Sequence, residues 1–237
     1  MFEKLHGVVL YASKYPRGYV VHCYTREHGR MAMVVNGAGH KGNVRKVLFQ
    51  PLSQVELEVR GEGKGLLPRV VEGHLAFVYE TLPYDFKKNA VALFLAEFLA
   101  AVLKDEQGDK ALFDFVESSL RRFDGESEGV ANFHLAFLVN LLSFMGIAPN
   151  MKGKGLPFFD LIDGVYCDVP HHEATLEGVR LQKFEVLMGL DYENMATCSL
   201  RGVERGELVD LLVRYYEVHL QLQLRLRSLE VMRSLFS

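Results

Sequence analysis

Residues 53–60 read SQVELEVR. Val55, Leu57 and Val59 fall on one side of an extended chain, and Gln54, Glu56, Glu58 and Arg60 fall on the other. A period of two across this run marks a strand with one face in a core and one in water. Working outward, Gly61-Glu62-Gly63-Lys64-Gly65 is a turn that leads to a further strand near Leu66–Phe77. Upstream, LHGVVLYASKY (5–15) ends at Pro16-Arg17-Gly18 and is followed by YVVHCYT (19–25), rich in β-branched and aromatic residues. A tight Arg26–Arg30 turn precedes MAMVVN (31–36), and a Gly-spaced basic link, GAGHKGNVRK, joins it to the fourth strand with a helical turn near Val44–Phe49. Five strands in a row with a longer link between the third and fourth fit a Greek-key barrel of the OB type. The spacing also suits an SH3-like barrel, and periodicity alone does not choose between them.

Pro83 changes the rhythm. Asp85 or Asn89 can cap a helix to about Lys104, with Val91, Phe94, Leu95, Phe98, Leu99 and Val102 at helical spacing. Further amphipathic helices are predicted at 110–123 and 130–145, the latter stopped by Gly146 and Pro149. Residues 150–178 read as an irregular, Gly- and Pro-containing stretch. Helical pieces follow at 179–190, from Val203 or Glu204 to His219, and at 228–236. VHLQLQLRL (218–226) alternates like a strand but sits between helices, and reads as a connector. The expected fold class is therefore α+β: an OB-type barrel over 1–81 and an all-α domain over 82–237.

Charge divides at the same place. Residues 1–81 hold 11 Lys/Arg against 7 Asp/Glu, whereas 82–237 hold 16 against 23. A basic barrel beside an acidic helical part points to a polyanion for the first and a different task for the second. Hydrophobic content of 49% excludes a disordered chain. Three widely spaced cysteines, Cys23, Cys167 and Cys198, argue for a reduced, cytoplasmic protein without a disulfide framework. The N-terminus lacks the apolar core of a signal peptide, and the longest apolar run, Ala90–Leu103, is broken by Glu97 and too short for a bilayer.

The barrel turns carry the candidate DNA contacts: Lys14 and Arg17 in the first, Arg26 and Arg30 in the second, Lys41, Arg45 and Lys46 in the third link, and Lys64 in the last. Cations track phosphates, while Tyr24, Tyr15 or Tyr19 offer faces for bases. Turns are polar in any protein, so charge alone is weak support. Cys167-x3-His171-His172 invites a metal, but no second Cys pair lies nearby, and a thiol beside surface histidines is the simpler reading. GEGKG and KGKGL lack the spacing of a phosphate-binding loop, and no GxSxG or HExxH occurs. No catalytic residue, metal or cofactor is expected.

The ordered motifs resemble the RecO family of bacterial recombination mediators, in its Bacteroidetes-type form. The resemblance runs through Val9-Leu10, Tyr15 and Gly18, Thr25, Gly29-Arg30, Asn36-Gly37-Ala38 and Gln50-Pro51-Leu52. It continues in ALFLAEFLAAVL (92–103), FHLAFLVNLLSFMGIAPN (133–150), FDLIDGVYCD (159–168) and YYEVHLQLQLRLRSLEVMRSLF (215–236). It implies an ATP-independent protein that binds and anneals single-stranded DNA, with double-stranded DNA as a further ligand. It also implies work with RecR, contact with the acidic C-terminal tail of single-strand-binding protein, and loading of RecA. Pro16-Arg17 before Gly18 and the sparsely basic GAGHKGN link depart from the family's pattern, the latter implying weaker DNA contact there. Zinc-binding members carry two Cys pairs near the FDL segment; only Cys167 matches, so no zinc is expected. The alternative is an OB-fold protein-interaction scaffold without DNA binding, and a third reading is a thiol or metal enzyme using Cys167 with His171.

Overall fold

The computed structural model describes residues 2–16, 18–36, 46–61, 63, 65–104 and 107–236, with Lys46 described by its backbone only. The barrel strands are β1 (Phe2–Tyr15), β2 (Gly18–Thr25), β3 (Gly29–Asn36), β4 (Gln54–Arg60) and β5 (Arg69–Leu75), with a 3₁₀ turn at Lys46–Phe49. They close in the order β1-β2-β3-β5-β4, every pairing antiparallel except the short parallel β3–β5 closure at Val34↔Arg69. This is the OB-type Greek key. β1 is long enough to serve two neighbours, pairing with β4 through Phe2–Val8 and with β2 through Gly7–Tyr15, and a register shift between Val9 and Tyr11 bends it.

The alternation in 53–60 falls where its period places it. Val55, Leu57 and Val59 join Leu5, Val9, Val21, Met33 and Val35 in the barrel core, with Leu48 and Phe49 of the 3₁₀ turn packed in. Gly73 on β5 is fixed by this packing, since a Cβ there would stand 2.6 Å from Leu57 Cδ2. Gln54 departs from the pattern. It was expected on the wet face, yet it is fully buried: its amide donates to Tyr79 Oη (3.1 Å) and the Glu117 carbonyl (3.0 Å), and accepts from Arg121 Nε (2.8 Å). A helix covers that face, so a residue opposite the core can still be dry.

That helix is α2 (Lys110–Gly125), which follows α1 (Phe86–Val102). Asp85 caps α1, accepting from the backbone N–H of Lys87 and Lys88. The chain divides into two compact units, Met1–Gly125 with Leu226–Leu229, and Glu126–Arg225 with Glu230–Ser237. Secondary structure changes at residue 82, but packing keeps α1 and α2 with the barrel. The hinge between strand and helix is tied down by Asp124, whose carboxylate accepts the N–H groups of Glu80 (2.8 Å), Thr81 (2.9 Å) and Leu82 (2.7 Å). Lys88, 4% exposed, donates to the Asp124 carbonyl and to Thr81 Oγ1, both at 2.7 Å. Burial alone would raise the Asp124 carboxyl, but the converging N–H groups outweigh it and hold the group below its ordinary range.

Glu97, the residue that interrupts the apolar run of α1, has a similar task. Its oxygens accept the N–H groups of Arg227 (3.1 Å) and Ser228 (2.8 Å) and the Ser228 hydroxyl, which fixes 226–229 in the first unit.

The second unit contains α3 (Phe133–Phe144), β6 (Phe158–Asp160), β7 (Val165–Cys167), β8 (Thr175–Glu177), α4 (Gly178–Met188) and α5 (Gly202–Leu220), and most of α6 (Ser228–Phe236). Gly146 follows α3 with φ +70° and ends it as its position implies. The stretch 150–178, read as irregular, holds a three-stranded antiparallel sheet in the order β7-β6-β8. Phe159 from its centre strand packs on Phe184 of α4, ring centroids 4.5 Å apart. The stretch 218–226, read as a connector, is helical at its start, because α5 runs to Leu220; residues 222–226 are the connector, entered through a left-handed Gln221 that caps α5. Arg205 gathers one end of this unit, donating to Asn132 Oδ1 (3.0 Å) and to the carbonyls of Phe236 (3.0 Å) and Leu200 (2.8 Å).

Candidate nucleic-acid interface

Successive turns of an antiparallel barrel lie at opposite ends. The first turn, at Pro16–Gly18, and the second, at Arg26–His28, are separated by the length of β2, roughly 23 Å for its eight residues. The expected DNA contacts therefore divide into two sets that one short footprint does not span.

The second-turn set is engaged within the protein. Arg30 Nη1 donates to the carbonyls of Ala100 (2.8 Å) and Leu103 (2.9 Å), the orphan acceptors at the C-terminus of α1, and Nη2 donates to Tyr11 Oη at 3.3 Å. A guanidinium there satisfies the helix's negative end. Arg26 pairs with Asp114 of α2 at 3.1 Å. Backbone also closes on this turn, since a Cβ on Gly108 would meet the carbonyl oxygens of Glu27 and Arg26 at 2.6 and 2.7 Å. Tyr24 is 2% exposed, with its ring 6.3 Å from Phe113 of α2, and so has no face for a base. Of the expected contacts in this set, Tyr24 is thus buried, Arg30 is engaged by α1 and Arg26 is paired with Asp114 at the surface. The reason is that α1 and α2 pack on this part of the barrel.

Among the described residues, the first-turn end is open. Tyr15, Pro16, Val34, Asn36, Gly65, Leu66, Leu67 and Arg69 line a cleft of about 570 Å³. The turn between β1 and β2 meets the link between β4 and β5 there, the place where OB barrels receive ligands. Tyr15 is 49% exposed and Leu66 65%. Arg69 donates to Asn36 Oδ1 at 3.0 Å, and Lys14 lies one residue pair before the turn, opposite Tyr19. Arg17, Lys41, Arg45, Lys64 and the Lys46 side chain lie outside the described residues. In sequence, 37–45 begins next to Asn36 on the cleft rim.

Two features were not read from the sequence. Tyr11 and His22 stack on the outer face of β1 and β2, centroids 4.2 Å apart, and burial and then Arg30 lower the His22 pKa. Their positions across a strand pair depend on the register shift in β1, which leaves no mark on the sequence. The other is an acidic groove of about 280 Å³ along β4 and β5, flanked by Glu27, Glu56, Glu58 and Glu72. Lys4, His6 and His74 also line it, and its four carboxylates disfavour a polyanion on this side.

Comparison with known proteins agrees with this architecture. The family model described as recombination protein O N terminal matches residues 1–77, and that described as recombination protein O C terminal matches residues 83–229. The chain belongs to the recombination protein O family. Among curated relatives of this family is a protein of Phocaeicola vulgatus named DNA repair protein RecO, 36% identical over 242 residues, with 100% of each chain covered. Proteins of the same name from Bacteroides fragilis and Flavobacterium psychrophilum are 32% identical (100% of each chain covered) and 30% identical (99% of each). The junction between the two family models falls at the strand-to-helix change near Pro83. No helix among the described residues is long and apolar enough to cross a membrane.

Proposed function

We propose that the protein is a non-catalytic recombination mediator in cytoplasmic DNA repair. It binds and anneals single-stranded DNA, also engages double-stranded DNA, and with RecR helps to load RecA on strands coated by single-strand-binding protein. Membership of the recombination protein O family supports the role. The observation that carries the DNA part is the open cleft at the first-turn end of the barrel, where Tyr15 offers a ring and Lys14 and Arg69 offer charge. Arg17, Lys41, Arg45 and Lys46 complete the phosphate contacts in this proposal. The helical part docks the acidic tail of single-strand-binding protein through local basic and apolar residues that override its net negative charge.

One observation favours the scaffold alternative: Arg26, Arg30 and Tyr24 are engaged with α1 and α2, which reduces the barrel's available contacts. A fluorescence-anisotropy titration of labelled single-stranded DNA at low salt separates the two readings. The mediator reading expects saturable binding at micromolar protein, retained when single-strand-binding protein coats the strand. Absence of binding to bare DNA would establish the scaffold instead.

A further inference from the structure

The barrel wall beyond the first-turn cleft continues the cleft's chemistry. Val35, Val59 and Val70 point into the core, so their chain neighbours Val34, Asn36, Arg60 and Arg69 stand on the outer wall. Strand register sets these residues side by side. Val34 pairs with Arg69, Arg69 with Arg60, and Arg60 with Phe2, whose side chain is 57% exposed. Arg69 lines the cleft, whereas Arg60 and Phe2 lie past it. In the other direction the rim runs from Asn36 to Gly18 and Tyr15, which pair in turn across β3, β2 and β1. The two rings, Tyr15 and Phe2, are therefore five strand spacings apart around the wall, about 24 Å, with Arg69 and Arg60 between them.

Charge on the wall changes sign at this row. The next outward pair on β4 and β5 is Glu58 and Glu72, which belongs to the acidic groove, whereas Arg60 and Arg69 are positive at the strand ends. An anionic chain leaving the cleft is thereby turned along the rim and away from the groove. Like charges directly opposite weaken a strand pair, and a phosphate lying between the two guanidiniums reverses that effect. Phe2 stands next in the row, and a ring beside a cationic track binds single strands by base stacking. Given the DNA binding proposed for the cleft, we infer that the bound single strand continues along the rim, with Arg60 holding a phosphate and Phe2 stacking on a base. The base faces of a duplex are covered by their neighbours, so Phe2 adds affinity for single-stranded DNA and none for a duplex.

The test measures anisotropy of labelled thymidine oligonucleotides of about 4 to 16 nucleotides, the range of OB-domain site sizes, on the full-length protein. Affinity should rise with length until a strand reaches both rings. In Phe2→Ala with Arg60→Gln, both at exposed positions, the shortest strands should bind as before. The longest should bind about 10-fold more weakly, the loss of about one stacked base, with a salt slope shallower by about 0.7. Phe2→Tyr should keep the affinity of the unaltered protein, and Phe2→Ala should leave binding to a duplex of the same length unchanged. A length dependence identical in the double variant overturns the extension while leaving the cleft as the DNA site. Equal weakening at every length, or of duplex and single strand alike, also overturns it, by making Phe2 and Arg60 structural. No binding by the unaltered protein at any length removes the DNA site itself, and the extension with it.

Discussion

Asp124→Ala is expected to lower the stability of the first unit by about 3–5 kcal/mol, because three backbone N–H groups lose a charged acceptor together. Glu80, Thr81 and Leu82 would lose that acceptor together, Leu82 at a buried position and beside a Lys88 that is itself 4% exposed. The melting temperature should fall by about 10 °C, given roughly 2–4 °C per kcal/mol for a chain of this size. Asp124→Asn keeps one carbonyl oxygen and should lose about half as much. Urea unfolding followed by circular dichroism reads both. A change below about 1 kcal/mol in the alanine variant would mean that the hinge is held by apolar packing and that the carboxylate is dispensable.

Acidification from pH 7 to pH 5 is expected to destabilise the second unit by about 2 kcal/mol through His134 alone. The side chain is fully buried on α3, and burial, with a smaller contribution from the Arg205 charge, pushes its pKa down to about 3 from 6.5. The unfolded chain takes up a proton below pH 6.5, whereas the folded chain does not. Stability is therefore intact above that pH and falls as pH drops toward the folded value. Asp124 and Glu97 act in a lower window. Their carboxyls are held below their ordinary values of 3.8 and 4.5, so their contribution is present above those values and fades below them. Unfolding free energies between pH 5 and 7 should flatten in His134→Phe. An unaltered slope in that variant would assign the acid sensitivity to another group.

Much of the fold was legible because its signals are local. Val55, Leu57 and Val59 reach the core from a period of two, Asp85 caps α1, and Gly146 ends α3 with the positive φ that its position implies. Three-residue strands are too short to show a period, so β6, β7 and β8 passed as irregular chain. Gln54 was misplaced because α2, more than fifty residues later, supplies the wall that buries it. The candidate site divides in the same way. Basic turns were readable as basic. That α1 would engage Arg30 at its C-terminus, and α2 would cover Tyr24, required the tertiary packing. Glu97 shows the converse: a charge that merely broke an apolar run in the sequence anchors a segment 130 residues away.

In the proposed mode of binding, DNA meets the first-turn end of the barrel and not the helix-covered second turn. The salt dependence of single-stranded DNA binding tests it most directly, since each phosphate contact adds about −0.7 to the slope of log K against log salt. Replacing Lys14, Arg17 and Arg69 together by Ala should make that slope shallower by about 2, whereas Arg26→Ala with Arg30→Ala should leave it unchanged in protein that remains folded. The opposite pattern, a slope unmoved by the first set and reduced by the second, would contradict the account.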